Sequence, residues 1–305
     1  MGAEQGTVAA VSCNDTYAFT KPVRDAIVLI AGVGVAGDVH AGVHVKHRGR
    51  VRADPDQPNF RQVHLIQQEL FAEVGAKGYP VAAGNLGENV TTSGLDLLAL
   101  PLGTILRFGP PTAGDRADGC DLVAGRGVEV GNVVAPSSDA GDLDRPTAHA
   151  VGESPRSVDP SGAGAGASGF GAHKRVASPS NETTAAPAPV LAAPNPLSAV
   201  LDVAGRADLD DATAASAVAL AAAAARDRGD DGRPAIVLAG LRNPCAQING
   251  FRPGLLKEVV GRGPGGDVVY KAGVMGVVLR GGAIRPGDVV TAELPPGPHR
   301  ALERV

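Results

Sequence analysis

The stretch with the clearest chemical potential is Gly240-Leu241-Arg242-Asn243-Pro244-Cys245-Ala246-Gln247-Ile248-Asn249-Gly250-Phe251, which follows the apolar run Ile236-Val237-Leu238-Ala239. The run predicts a strand. Pro244 lacks an N–H, so it ends that strand and leaves Cys245 on a turn. Arg242, Asn243 and Gln247 then stand close to the thiol. A neighbouring cation favours the thiolate, the form that attacks or binds metal. A free cysteine also serves as a small buried hydrophobe, and the local sequence does not separate the two roles.

Other candidate groups gather in the first third of the chain. His40, His44, His47 and His64 make up four of the seven histidines. His40 and His44 have the i, i+4 spacing of a zinc pair on a helix, but the glycines around them argue against a helix. Glu88-Asn89, after Gly87, and Asp38, after Gly37, offer carboxylates that either act chemically or cap backbone amides. A literal G-x-G-x-x-G at Gly32 to Gly37 follows the strand Ala26 to Ile30, yet the next residues read as loop rather than the helix a dinucleotide site needs. No G-x-S-x-G or C-x-x-C occurs, which removes the nucleophile-elbow hydrolases and a tetrathiolate zinc site.

These residues need elements to position them. Residues 6–12, 26–30, 62–66, 86–92, 104–108, 236–238, 268–279 and 289–294 read as short strands between Gly/Pro turns. Gln67 to Val74 reads as a helix with Leu70, Phe71 and Val74 on one face. Residues 46–58, basic and then Pro-rich, read as an exposed loop, 254–260 as a short helix or turn, and Arg285-Pro286-Gly287-Asp288 as a turn. The pattern predicts a β-barrel or sandwich rather than an α/β sheet.

Between these strands the composition changes. Residues 111–232 hold 9 Lys/Arg against 17 Asp/Glu, whereas the remainder of the chain holds 19 against 15. The tract Ser161 to Gly169 and residues 176–196 are linker-like. Such a segment buries too little apolar surface to offset its ordering entropy. The expected organisation is one β domain in two pieces, 1–110 and 233–305, with 111–232 as a mostly disordered acidic insertion. Inside it, short strands are expected around Val128, Val130 and Val133-Val134, and a helix near 210–228 with no evident packing partner.

The 305 residues carry a net charge of −4, with 3% aromatics and no Trp. That balance gives no pull toward nucleic acid or acidic membranes and few stacking platforms for bases. Three cysteines far apart, Cys13, Cys120 and Cys245, form no disulfide framework. Without a signal-like start or an apolar span of about 20 residues, a cytoplasmic location is expected.

Five ordered stretches resemble the MOSC domain, the module shared with the C-terminal part of molybdenum-cofactor sulfurases, and are most similar to its short stand-alone actinobacterial members. They are Gly34 to Gly42, Arg61 to Ile66, Leu86 to Thr92, Leu241 to Cys245 and Lys271 to Val277. The departure is 111–232, where such proteins have a brief connection. The resemblance implies an all-β-rich, strongly bent barrel with a few short helices and an essential cysteine at Cys245. It implies either a molybdenum cofactor of the molybdopterin type held through the Cys245 thiolate, with reduction of N-hydroxylated substrates, or sulfur carried as a Cys245 persulfide. Pyridoxal phosphate enters as a family association only.

Under the first reading Cys245 is the metal ligand. Arg242, Asn243, Lys271, Arg61, His40, His64, Glu88 and Asn89 then surround the cofactor, with the basic loop Lys46 to Arg52 a further source of cations for its phosphate. The partners implied are a small-molecule substrate, a sulfur donor or acceptor protein, and a redox partner. A third reading is a non-catalytic binding module whose acidic insertion recruits another protein.

Overall fold

The computed structural model describes residues 4–111, 196–227, 229–263 and 266–305. In chain order the first elements are β1 (Glu4–Ser12), β2 (Val23–Arg24), β3 (Ile27–Ile30) and β4 (Gly34–Val35). The helix α1 (Arg48–Ala53) precedes β5 (Val63–Gln67), α2 (Glu69–Gly75), β6 (Val90–Ser93) and β7 (Ile105–Gly109). Two helices, α3 (Pro196–Ala204) and α4 (Asp211–Arg226), lead into β8 (Ala235–Leu241), α5 (Gln247–Phe251) and α6 (Leu255–Val259). The remainder is β9 (Val260–Arg262), β10 (Val268–Tyr270), β11 (Val274–Arg280), β12 (Gly282–Ile284) and β13 (Val289–Glu293).

Seven strands close into a barrel in the order β13-β7-β8-β11-β5-β6-β1, and β1 returns to β13 through the pairings Glu4↔Ala292 to Thr7↔Val289. Closure leaves no free barrel edge. The pairs are antiparallel except β5–β6, which is parallel with Leu65 opposite Val90. A bulge in β1 between Val8 and Ala10 adds the local bend that a small closed sheet needs.

Side chains alternate across these strands, and both sides are buried. Ile236 and Leu238 of β8 join Leu106, Phe108, Val63, Leu65, Val274 and Val278 in the interior. The intervening Ala235, Val237 and Ala239 face outward with Ile105, Val277 and Leu279 into a second cluster. Two-sided burial explains why β8 reads as one continuous apolar run. What covers its outer face is α3 and α4, through Leu197, Val200, Leu220 and Ala223. Helix α4 starts where its sequence predicts, since the Asp210 carboxylate accepts the Thr213 amide at 2.8 Å. Contrary to expectation the helix has a partner. The Ser216 hydroxyl donates to the Ala239 carbonyl at 2.6 Å, and Arg226 donates to Gly103 O at 2.9 Å. At its far end the buried Arg107 guanidinium meets Glu293 at 3.0 Å and Asp227 at 3.4 Å, and Arg280 meets Asp227 at 2.7 Å.

Two local readings change. Residues 48–53, expected as loop, wind into the short helix α1. Residues 86–89, expected as strand, form a turn ahead of β6, because the Glu88 carboxylate collects the Gly84 and Leu86 amides and holds the backbone out of the ladder. The strands expected around Val128 to Val134 and the tracts at 161–169 and 176–195 lie outside the described residues, as does Cys120.

Candidate functional site

The candidate site lies outside the barrel wall, where β5, β8 and β11 converge. His64 and Met275 stand one step out of register with the inward-facing Val63, Leu65 and Val274, so both point away from the interior. Arg242 follows β8 directly, and its amide bonds the Gly273 carbonyl at 3.0 Å. Gly273 has φ +95°, and a side chain there would run into the Leu65 carbonyl and the His64 imidazole. The glycine therefore lets three backbone segments meet at one point.

The cavity these elements frame has a volume of about 280 Å³, at the small end for a ligand site. Its basic and imidazole groups are Lys21, Lys46, Arg61, Arg242, His40, His47 and His64; Asn59, Asn89 and Gln247 add amides, and Tyr17, Phe19, Val45 and Met275 supply apolar surface. No lining side chain is a carboxylate. The nearby acids are already committed elsewhere. Glu88 lies beneath the wall, accepting from Gly84 and Leu86 amides and from the Thr91 hydroxyl at 3.3 Å. Burial pushes its carboxyl above the usual range. Asp38 is buried and takes Lys21 Nζ at 2.7 Å, Asn89 Nδ2 at 2.9 Å and His40 Nδ1 at 3.2 Å. Burial alone would raise Asp38, but the His40 hydrogen bond and the Lys21 ammonium outweigh it and hold the carboxyl well below the carboxylate range.

The two arginines differ from Lys21 in having no Asp or Glu side chain as an ion-pair partner among the described residues. Arg242 is 8% exposed, and its Nη1 is shielded from solvent and meets no acceptor among the described residues. Its guanidinium lies 5.9 Å from the Phe19 ring centre. Arg61 Nη1 donates to the Val305 backbone oxygen at 2.8 Å, while its Nε is shielded and unbonded among the described residues. Burial and the nearby Arg50 and Arg242 pull the Arg61 guanidinium down to about 10. Burial, together with Arg61, His40 and Arg242, brings His47 down to about 4. His64 is held well below its ordinary value by burial and by Arg242, so it is a neutral imidazole whose Nε2 donates to the Ala272 carbonyl at 2.7 Å. The cavity lining thus carries an excess of positive charge, a balance that favours anions.

Of the residues expected at the site, Arg61, Arg242, His40, His64 and Asn89 come together on the cavity wall. Cys245 is half-buried and flanks the wall without lining it; its Sγ donates to Oε1 of Gln247, a lining residue, at 3.5 Å. Asn243 is exposed and outside the lining. Lys271 is elsewhere, paired with Glu73 of α2 at 2.7 Å. His44 is exposed and sits in a bridge with Pro58. Among the described residues no three His, Cys, Asp or Glu side chains gather as a metal site.

Sequence reasoning placed Gln247 beside the thiol but missed Tyr17, Phe19, Lys21, Asn59 and Met275. Asn59 is instructive. Its buried amide bonds the carbonyls of His40 at 2.9 Å and Gly42 at 3.0 Å, and its oxygen accepts the Arg61 amide at 3.1 Å. One side chain thus fixes the His40 loop to the start of β5. A lone Asn in a Pro-rich stretch gives no advance sign of that role.

Fold and site together define a closed seven-stranded β-barrel with a cation-lined cavity on its outer wall and a cysteine at the cavity's edge. No protein-family model matches the sequence, and no curated protein does. Solved structures with similar folds include the YuaD protein from Bacillus subtilis, at 15% identity and a TM-score of 0.48 over 96% of this chain and 98% of that one. YiiM from Geobacillus stearothermophilus aligns at 10% identity and 0.40 over 97% and 79%. Both scores lie below 0.5, and the fold stands on the strand pairings described above.

Proposed function

We propose that this chain binds a phosphate-bearing cofactor of the molybdopterin type in the cavity and serves a reductase acting on N-hydroxylated compounds. The observation that carries the reading is the pair of shielded, unpartnered guanidinium nitrogens, Arg61 Nε and Arg242 Nη1, on a wall without carboxylates. A buried unpaired guanidinium is costly, and a phosphate satisfies it with charge-assisted bonds. The donor set therefore fits the phosphate of such a group. When bound, the cofactor would supply the two-electron chemistry, and Cys245 would offer its sulfur as a ligand. The chain's own residues do the rest. Arg61 and Arg242 bind the anion, with Lys46 adding charge. Asp38 orients His40 through Nδ1 and keeps Lys21 from competing for the ligand. Phe19 and Met275 exclude water from the apolar wall.

The MOSC resemblance of the five motifs supports the same assignment, since each of them supplies a lining residue. Metal and pterin analysis of the purified chain beside Cys245→Ala and Arg242→Met is the test. Molybdenum and pterin present in the parent and lost in both variants support the reading, and a parent free of both overturns it. One observation favours a second reading: Cys245 is half-exposed and outside the lining, which suits a persulfide offered to a partner protein. Cyanide-labile sulfur on the parent, absent from Cys245→Ala, would select it.

A further inference from the structure

Arg61 reaches the cavity from the start of β5, but what holds it there comes from residues 302–305, far from it in sequence. Residues 302–305 run alongside the end of β8. Leu241 N donates to Glu303 O at 2.7 Å, Val305 N returns to Leu241 O at 3.3 Å, and Leu241 pairs with Arg304 as a parallel bridge. The segment is anchored through its length: Leu302 enters the barrel core, Val305 is 3% exposed, and the Arg304 guanidinium lies 4.9 Å from the Tyr270 ring centre. Its closest approach is at Gly240, where a Cβ would stand 2.6 Å from Glu303 O and 2.6 Å from a Val305 methyl carbon. Val305 O then accepts Arg61 Nη1 at 2.8 Å, the hydrogen bond that fixes the guanidinium's orientation.

We infer that residues 302–305 act as a positioning strap for the anion site, coupling the end of β8, which carries Arg242 and leads to Cys245, to the guanidinium of Arg61. This rests on the anion-binding reading of the cavity. A guanidinium is useful to a phosphate only when its fork is presented in one plane, and a free Arg carries about 2 kcal/mol of rotamer entropy that binding must otherwise remove. The strap removes that freedom in advance. Gly240 is the residue that lets the strap lie flush, so it contributes to anion affinity without touching the anion.

The experiment is a set of inorganic phosphate titrations by calorimetry on the full chain and on Gly240→Ala, Arg61→Met, Arg242→Met and the Gly240→Ala combinations with each. If the parent does not bind phosphate, the anion-site reading fails before the strap is reached. If it does, Gly240→Ala should weaken phosphate about tenfold, the scale of one charged hydrogen bond. Arg61→Met should then cost nothing further in the Gly240→Ala background, while Arg242→Met should still cost its full factor. Unchanged affinity in Gly240→Ala overturns the inference. So do fully additive losses with Arg61→Met, since a merely structural role leaves the two sites uncoupled. Should Gly240→Ala not fold, Val305→Gly enters the same cycle, because it loosens the strap and leaves β8 untouched.

Discussion

Replacing Arg242 by Met should separate stability from binding. Arg242 is 8% exposed, carries a shielded Nη1 without an acceptor among the described residues, and has no ion-pair partner within contact there. A buried polar group left unsatisfied costs about 1–3 kcal/mol, more when charged. Two interactions offset this: the stacking on Phe19, about 0.5–2 kcal/mol, and the attraction of the Glu88 carboxylate behind the wall. Glu88 keeps three donors of its own, so it does not depend on Arg242. Met preserves the apolar stem and removes the charge. The ligand-free variant should therefore be as stable as the parent or more stable by about 1 kcal/mol, since the relieved desolvation equals or exceeds the lost stacking.

Phosphate binding should move the opposite way. Loss of one charge-assisted bond, about 1.5–3 kcal/mol, weakens phosphate roughly 10- to 150-fold. Urea unfolding in phosphate-free buffer reads the first effect. The second is read by the same unfolding in saturating phosphate, where the parent gains about 2.7 kcal/mol at a hundred times Kd and the variant gains little. A variant destabilised by more than about 2 kcal/mol with the phosphate gain intact would refute the reasoning, because Arg242 would then be a structural cation.

Two further outcomes are expected. His47 is held at about 4, below the ordinary imidazole value. The unfolded chain therefore binds the extra proton first, and stability present above about pH 6.5 is lost as pH falls toward 4. His47→Gln should flatten that acid loss by one proton or less in urea midpoints measured across the range, with His64 supplying the rest. Leu220 is 1% exposed between α4 and the outer face of β8, so Leu220→Ala should cost about 2–5 kcal/mol. A change within the error of chemical denaturation would mean that α4 contributes nothing to the barrel's stability.

The barrel strands were legible because their signal is local: Val63 to Ile66, Ile236 to Ala239 and Val274 to Leu279 announce themselves by β-branched runs between glycines and prolines. Helix α4 was legible too, through Asp210 and the alanines behind it. Its packing was not, since no residue of α4 names the face of β8 that it covers. Helix α3 carried a usable sign that went unread, with Pro196 at its first position and Leu197, Val200, Leu201 and Ala204 at helical spacing. In the site, Arg61, Arg242, His40, His64 and Asn89 lie within the recognised motifs. Lys21 could not be read, because its meaning depends on Asp38, which only the folded chain brings to it. Lys271 shows the converse: it has the right chemistry at a motif position, yet Glu73 takes its charge.

Strands β7 and β8 are neighbours in the barrel, with Arg107 opposite Ala235, although the whole acidic stretch 111–232 separates them. A pairing that distant raises the contact order, and such pairings form late and slowly. Loop closure itself is a mild penalty, about 0.6 kcal/mol per doubling of length, so the obstacle is kinetic search rather than final stability. Helix α4 shortens the search: once nucleated, it carries β8 directly behind it and offers Leu220 and Ala223 as an apolar surface on which the strand can be delivered to β7. The cavity, whose Arg242 follows β8, is completed only after that delivery, so the site should appear in the closing steps of folding.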